Sequence, residues 1–150
     1  MSELIIRTAK PEDYDGIVGV VDEWWGRPVS SALHRLFLDH FSGTSFVAEE
    51  DDGSLAGFVI GFLSPSQPHL AYVHFAGVAP GRRRDGLARE LYERFFALAR
   101  DDARTHVKAI TSPVNSRSIG FHRALGFSVS DSVTDYDGPS LDRVVFQRAL

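Results

Sequence analysis

The segment Val78-Ala79-Pro80-Gly81-Arg82-Arg83-Arg84-Asp85-Gly86-Leu87-Ala88-Arg89 closes an apolar strand, turns at Pro80-Gly81 and opens an amphipathic helix. The first turn of a helix carries backbone N–H groups without intrahelical acceptors, and the positive end of its dipole attracts anions. Gly86 presents no side chain and Ala88 only a methyl, so a pyrophosphate can reach those amides, while Arg83 and Arg84 add positive charge. This loose Arg-x-x-Gly-x-Ala frame predicts a site for a phosphorylated cofactor. In isolation the same residues also read as an ordinary connection with solvated arginines. There is no Gly-Lys-Ser/Thr of a nucleoside triphosphate loop and no second glycine of a Gly-x-Gly-x-x-Gly turn.

Elements that position this turn follow from the apolar pattern. Leu4 to Arg7 reads as a first strand, and Thr8 as the cap of a helix from Pro11 to about Trp25, ended by Arg27-Pro28. Ser30 or Ser31 caps a second helix carrying Leu33, Leu36, Phe37 and Phe41 at helical spacing, stopped by Gly43. Ser45 to Ala48 and Leu55 to Leu63 are strands about an Asp51-Asp52-Gly53 turn, the second apolar enough for burial on both faces. Ala71 to Val78 is the strand entering the cofactor turn, and Leu87 to about Arg100 the helix leaving it. Val107 to Thr111, a helix from Ser116 to Leu125 ended by Gly126, and a hairpin of Phe127 to Val129 with Val144 to Gln147 complete the chain. The order β-α-α-β-β-β-α-β-α-β-β predicts one α/β domain over residues 1–150, with a mixed, twisted sheet of about seven strands flanked by about four helices.

Composition bounds the function. A chain of 150 residues with 43% hydrophobic residues can bury one core. It has no cysteine, which excludes disulfides, thiolate catalysis and cysteine-bound zinc, and no metal is expected. No signal peptide and no membrane-length apolar run are read, so the expectation is a cytoplasmic protein without a membrane partner. A net charge of −4 argues against nucleic acid as a partner and favours cationic substrates. Apolar last strands and Phe-rich helices are compatible with a homodimer.

A second motif stands about thirty residues after the first, in Ser112-Pro113-Val114-Asn115-Ser116-Arg117-Ser118-Ile119-Gly120-Phe121-His122-Arg123-Ala124-Leu125-Gly126-Phe127. In this order and spacing the two motifs resemble the paired motifs of the GNAT superfamily of acetyl-CoA-dependent N-acetyltransferases, over roughly residues 44 to 148. That resemblance implies two central parallel strands splayed in a V, here Ala71 to Val78 and Val107 to Thr111, with the pantetheine arm in the gap. The main chain of Val78, Ala79 and Pro80 would bond the pantetheine amides. The amides of Arg84, Asp85, Gly86, Leu87, Ala88 and Arg89 would hold the pyrophosphate, and Asn115 and Ser118 would contact the arm from the other side. Acetyl-CoA is the implied acyl donor and a primary amine of a small molecule the implied acceptor. A protein or peptide acetyltransferase acting on an amino terminus or lysine, and a non-catalytic acyl-CoA-binding module, are the alternatives.

The implied chemistry is attack of an amine on a thioester. An alkylamine of pKa about 10.4 presents its free base at neutral pH at a cost of about 4–5 kcal/mol, so a general base is useful. Backbone N–H groups around Val78 are the implied stabilisers of the oxyanion. Many members have a base early on the strand before the cofactor turn, where this chain has Tyr72. Strand alternation puts Tyr72, His74, Ala76 and Val78 on one face, making His74 the candidate base or water-holder, or a structural histidine of the groove. The tyrosine that often serves as acid is replaced by His122, which either protonates the coenzyme thiolate or packs and hydrogen-bonds its sulfur. Family members build the acceptor site from the first helices and last hairpin. Trp24 and Trp25 point about 100° apart on a helix, so one is core and the other, with Asp22 and Glu23, is a candidate to hold an ammonium. Tyr136, Asp137 and Asp142 are further candidates, and Glu49 and Glu50 either face the groove or are solvated.

Overall fold

The computed structural model describes residues 4–150. Its strands are β1 (Ile5–Thr8), β2 (Phe46–Glu49), β3 (Leu55–Leu63), β4 (Leu70–Val78), β5 (His106–Thr111), β6 (Ser128–Val129) and β7 (Val144–Ala149). The helices are α1 (Asp13–Trp25), α2 (Arg35–Phe41), α3 (Leu87–Asp101) and α4 (Ser116–Ala124). The element order is the expected one. The strands form a seven-stranded sheet in the order β1-β2-β3-β4-β5-β7-β6. It is mixed: β4 and β5 run parallel over Leu70↔His106 to Tyr72↔Lys108, whereas β7 pairs antiparallel with both β5 and β6.

By its contacts the chain divides into two compact units. The first comprises the described part of Met1–Phe62 with Val73–Leu98. Its core gathers Ile17, Val21 and Trp24 of α1 with Leu33, Leu38, Val47, Phe58, Ile60 and Phe75. Leu87, Leu91 and Phe95 recur four residues apart, so one stripe of α3 is buried. Gly57 lets that stripe approach β3: a Cβ there would lie 3.0 Å from Leu91 Cδ1, 3.2 Å from the Gly77 carbonyl oxygen and 3.3 Å from Leu87 Cδ2. The second unit comprises Leu63–Tyr72 with Ala99–Leu150. Val107 and Ala109 on β5 are buried, as are His122, Leu125, Phe127, Val144 and Phe146.

Two expectations at element ends are corrected. Thr8 does not cap α1. It ends β1, paired with Phe46, and the cap position is Glu12, without a side-chain cap bond. Asp13 substitutes, accepting the Lys10 N–H at 2.7 Å and pairing with Arg7. The second helix does not begin at Ser30 or Ser31 either. Ser30–Ala32 forms a separate 3-10 turn, and α2 starts at Arg35. Leu33 between them is extended and almost fully buried, so continuing a helix through it would lift it out of the core.

Gly57→Val tests the close approach of α3. The added side chain should cost about 1–3 kcal/mol of unfolding free energy by overpacking against Leu87 and Leu91, read from urea denaturation. An unchanged midpoint would contradict the contact.

Candidate active site

Downstream of β4 the chain leaves the sheet under control. The Ala79 N–H donates to the Ala56 carbonyl at 2.8 Å, so this amide is used by β3 and cannot serve a ligand. Backbone groups of neighbouring strand residues point to opposite edges, and the N–H and C=O of Val78 therefore face away from β3. Pro80 has no N–H to offer. A 3-10 turn over Pro80–Arg82 follows.

Gly86 then adopts φ +77°, a left-handed conformation suited to glycine, and its carbonyl accepts the first helical bond from the Glu90 N–H at 3.1 Å. The N–H groups of Arg84, Gly86, Leu87 and Ala88 donate to nothing among the described residues. A Cβ built on Gly86 would meet no atom within 4 Å.

The three arginines have different roles. Arg82 is clamped between two carboxylates, its Nε donating to Glu50 Oε2 at 2.9 Å and its Nη1 to Asp85 Oδ2 at 2.9 Å. Arg83 donates from Nη2 to the Trp24 carbonyl oxygen in the last turn of α1. There a cation meets both an orphaned carbonyl and the negative end of the helix dipole. Arg83 thus anchors the turn to the end of α1. Arg84 is exposed, and its guanidinium makes no hydrogen bond or ion pair among the described residues.

On β4, Val73 and Phe75 are buried while Tyr72, His74 and Ala76 are half-buried, the alternation expected. The His74 ring stacks on Phe37 of α2 at 3.9 Å between centroids and 9° between planes. Its Nε2 lies 2.9 Å from the Ala32 carbonyl oxygen, which can only accept. Nε2 therefore carries the hydrogen, and the Nδ1 lone pair has no partner among the described residues. Burial lowers the His74 pKa below the usual 6.5, opposed by the Ala32 carbonyl and reinforced by nearby His34. This is a neutral, oriented imidazole suited to accept a proton. Burial, with Tyr136 and Asp137, raises the pKa of Tyr72, which stays protonated.

Trp24 is the core member of its pair, stacked at 6.1 Å on Phe58. Trp25 is half-buried against Phe75 at 5.0 Å, with the Arg27 guanidinium 5.7 Å above its ring. Glu23 is exposed and its carboxylate makes no bond among the described residues. Asp22 is not available for an ammonium, because Val29 and Ser30 donate three hydrogen bonds to its carboxylate. Glu49 and Glu50 are likewise occupied, by Arg7 and Arg82. Asp137 pairs with Arg143, and Asp142 accepts the Asp135 N–H, while Tyr136 is exposed.

The second unit holds the other expected residues in structural bonds. Asn115 caps α4, accepting the Ser118 N–H at 3.3 Å and donating to Thr111 Oγ1 at 3.1 Å. His122 is 5% exposed, donates from Nδ1 to the Ser118 carbonyl at 2.8 Å and stacks on Phe146 at 4.0 Å. Burial pushes its pKa down to about 4, so the ring is neutral at pH 7 and a packing role fits it better than proton donation. Ala32 and Arg27 carry no motif signal in the sequence. One contributes only a backbone carbonyl and the other an isolated side chain.

The acetyltransferase (GNAT) family profile matches residues 11–127, a stretch that includes both motifs and the turn just described. The chain belongs to the acetyltransferase (GNAT) family. It is 30% identical over 125 residues to the L-2,4-diaminobutyric acid acetyltransferase of Halomonas elongata, covering 83% of this chain and 65% of that protein. It is 33% identical over 96 residues to the protein of the same name from Nocardia farcinica, covering 64% and 49%. The chain thus spans between about half and two thirds of the length of these curated relatives. A GNAT superfamily phosphinothricin acetyltransferase from Sinorhizobium meliloti, solved in complex with acetyl-CoA, superposes with a TM-score of 0.74 at 21% identity over 98% of this chain and 88% of that one. At that identity the likeness speaks for the GNAT fold alone.

The depressed His122 pKa carries a sign. Between pH 4 and 6.5 the unfolded chain binds a proton at this histidine that the folded chain refuses, so stability rises with pH across that window, by up to about 3 kcal/mol. His122→Phe should flatten the difference between urea midpoints at pH 5 and pH 7. An unaltered difference would remove the desolvation argument.

Proposed function

We propose that this chain is an N-acetyltransferase that moves the acetyl group of acetyl-CoA to a primary amine of a small molecule. The observation that carries the reading is the open turn in a member of this family: unengaged amides at Arg84, Gly86, Leu87 and Ala88, clear space at Gly86, and the unpaired Arg84. These groups would hold the pyrophosphate. When bound, acetyl-CoA supplies an acetyl thioester as the electrophile.

The chain's own residues account for the rest. His74 takes the proton of the ammonium on Nδ1, directly or through water, while Ala32 stabilises the imidazolium through Nε2. The outward-facing N–H of Val78 is the candidate donor to the acyl oxygen. His122 is read as a packing residue, and no acid is assigned. A thiol of pKa about 8.5 leaves as thiolate without one.

For the acceptor, the names of the curated relatives point to a diamino acid. Glu23 and Arg27 stand two residues either side of Trp25; the Glu23 carboxylate has no partner among the described residues, and the Arg27 guanidinium lies over the Trp25 ring with no carboxylate beside it among them. A simple amine would be repelled by Arg27, whereas an amino acid offers it a carboxylate. We therefore read the acceptor as an amino acid with a side-chain amine, Glu23 and Trp25 meeting the ammonium and Arg27 the carboxylate.

Thiol release from acetyl-CoA checks the proposal with 2,4-diaminobutyrate, its decarboxylated analogue 1,3-diaminopropane, and short peptides. The amino acid should exceed the diamine at least tenfold in kcat/KM, and Arg27→Ala should erase that preference. His74→Ala should lower kcat about 10²-fold or more, with partial recovery at high pH. Peptides as the preferred acceptors would contradict the acceptor class, and no release with any amine would contradict the activity.

A further inference from the structure

The loop between α1 and α2 is tied down by an acid in an unfavourable place. Asp22 lies in the last turn of α1, where the negative end of the helix dipole disfavours a carboxylate. Three donors compensate. Its Oδ1 accepts the N–H groups of Val29 and Ser30, each at 2.7 Å, and its Oδ2 the Ser30 hydroxyl at 3.0 Å. Its backbone carbonyl also receives the N–H groups of Gly26 and Arg27, at 2.9 and 3.2 Å. The Val29 N–H, with the N–H and hydroxyl of Ser30, holds the Asp22 carboxyl below the usual carboxylate range, so it stays charged at neutral pH.

The carboxylate thereby stands at the N-terminal end of the 3-10 turn Ser30–Ala32, satisfying amides that such a turn leaves without acceptors. At the C-terminal end of that turn the carbonyl of Ala32 accepts from His74 Nε2 at 2.9 Å. One turn of chain thus has an anion against its first N–H groups and an imidazole N–H against its last carbonyl. The peptide dipoles between them are aligned, each polarising the next. The other groups facing the ring are Phe37 from α2, stacked at 3.9 Å, the neighbouring Phe75 of β4, and His34 just before α2, whose positive form opposes a second charge.

We propose that Asp22 is a positioning residue for His74. By holding Val29 and Ser30 it keeps the Ala32 carbonyl on Nε2, and so keeps Nδ1 as the nitrogen with a lone pair to offer. Its catalytic consequence rests on the reading of His74 as base, while the tautomer itself does not.

The experiment compares wild type with Asp22→Asn and Ser30→Ala by nitrogen-15 NMR of the imidazoles, and by kcat against pH at saturating acetyl-CoA. Wild-type His74 should show a single Nε2–H tautomer at neutral pH. Asp22→Asn should mix the tautomers, lower kcat about tenfold with the KM for acetyl-CoA unchanged, and move the acid limb to lower pH, because the carbonyl that favours the imidazolium has shifted. Ser30→Ala, which removes only the hydroxyl bond and keeps both amide bonds, should move the same quantities about threefold and guards against a misfolded Asp22→Asn. In a His74→Ala background neither substitution should lower kcat further. A wild-type tautomer and wild-type acid limb in both variants would overturn the proposal. Mixed tautomers together with wild-type turnover in His74→Ala would support the positioning role and remove the base assignment instead.

Discussion

Backbone amides at the start of α3 must be kept without acceptors and yet kept still, and the arginines before them do the holding. Arg82 bridges the turn to Glu50 and Asp85, and Arg83 reaches the last turn of α1. They tie the turn before Gly86 to neighbouring elements, next to the N-terminus of a 15-residue helix whose dipole favours an anion there. Preorganisation of this kind lowers the ordering cost of binding, which a floppy glycine-containing loop would otherwise meet at each encounter. Arg84 is exposed and unpaired among the described residues, and is the charge proposed for the anion.

His74 and His122, one half-buried and one buried, show how surroundings decide chemistry for one residue type. Both lose hydration and both donate to a backbone carbonyl. His122 is walled by Phe121, Phe127 and Phe146 and held neutral far below the physiological range. His74 has one stacked face, and its second nitrogen is without a partner among the described residues. The first is a polar plug in a core. The second keeps the means to take a proton, with its orientation set by a loop that begins on Asp22.

Much of this was legible in the residues. Apolar runs broken by Asp51-Asp52-Gly53, Pro80-Gly81 and Gly126 yield the order of strands and helices, because turn chemistry is local. Gly86 takes a left-handed φ of +77°, a conformation that a glycine in a turn signals for the same local reason. The alternation of β4 placed His74 correctly on the half-exposed face. What was not legible depends on remote backbone partners. Nothing near Arg83 announces the Trp24 carbonyl, and nothing near His74 announces that of Ala32. The break between Ser30 and Arg35 likewise arises from Asp22 and from the burial of Leu33, neither of which helical spacing can weigh. His122 could be placed in the motif, but its ring stacking on Phe146 comes from a strand more than twenty residues away.

The proposed grip of the amides opening α3 on the diphosphate of coenzyme A is open to direct observation. Backbone amide NMR during a titration with coenzyme A tests it most directly. Large downfield proton shifts are expected at Gly86, Leu87 and Ala88, reproduced in part by inorganic pyrophosphate. Saturable binding with these three resonances unmoved would contradict it.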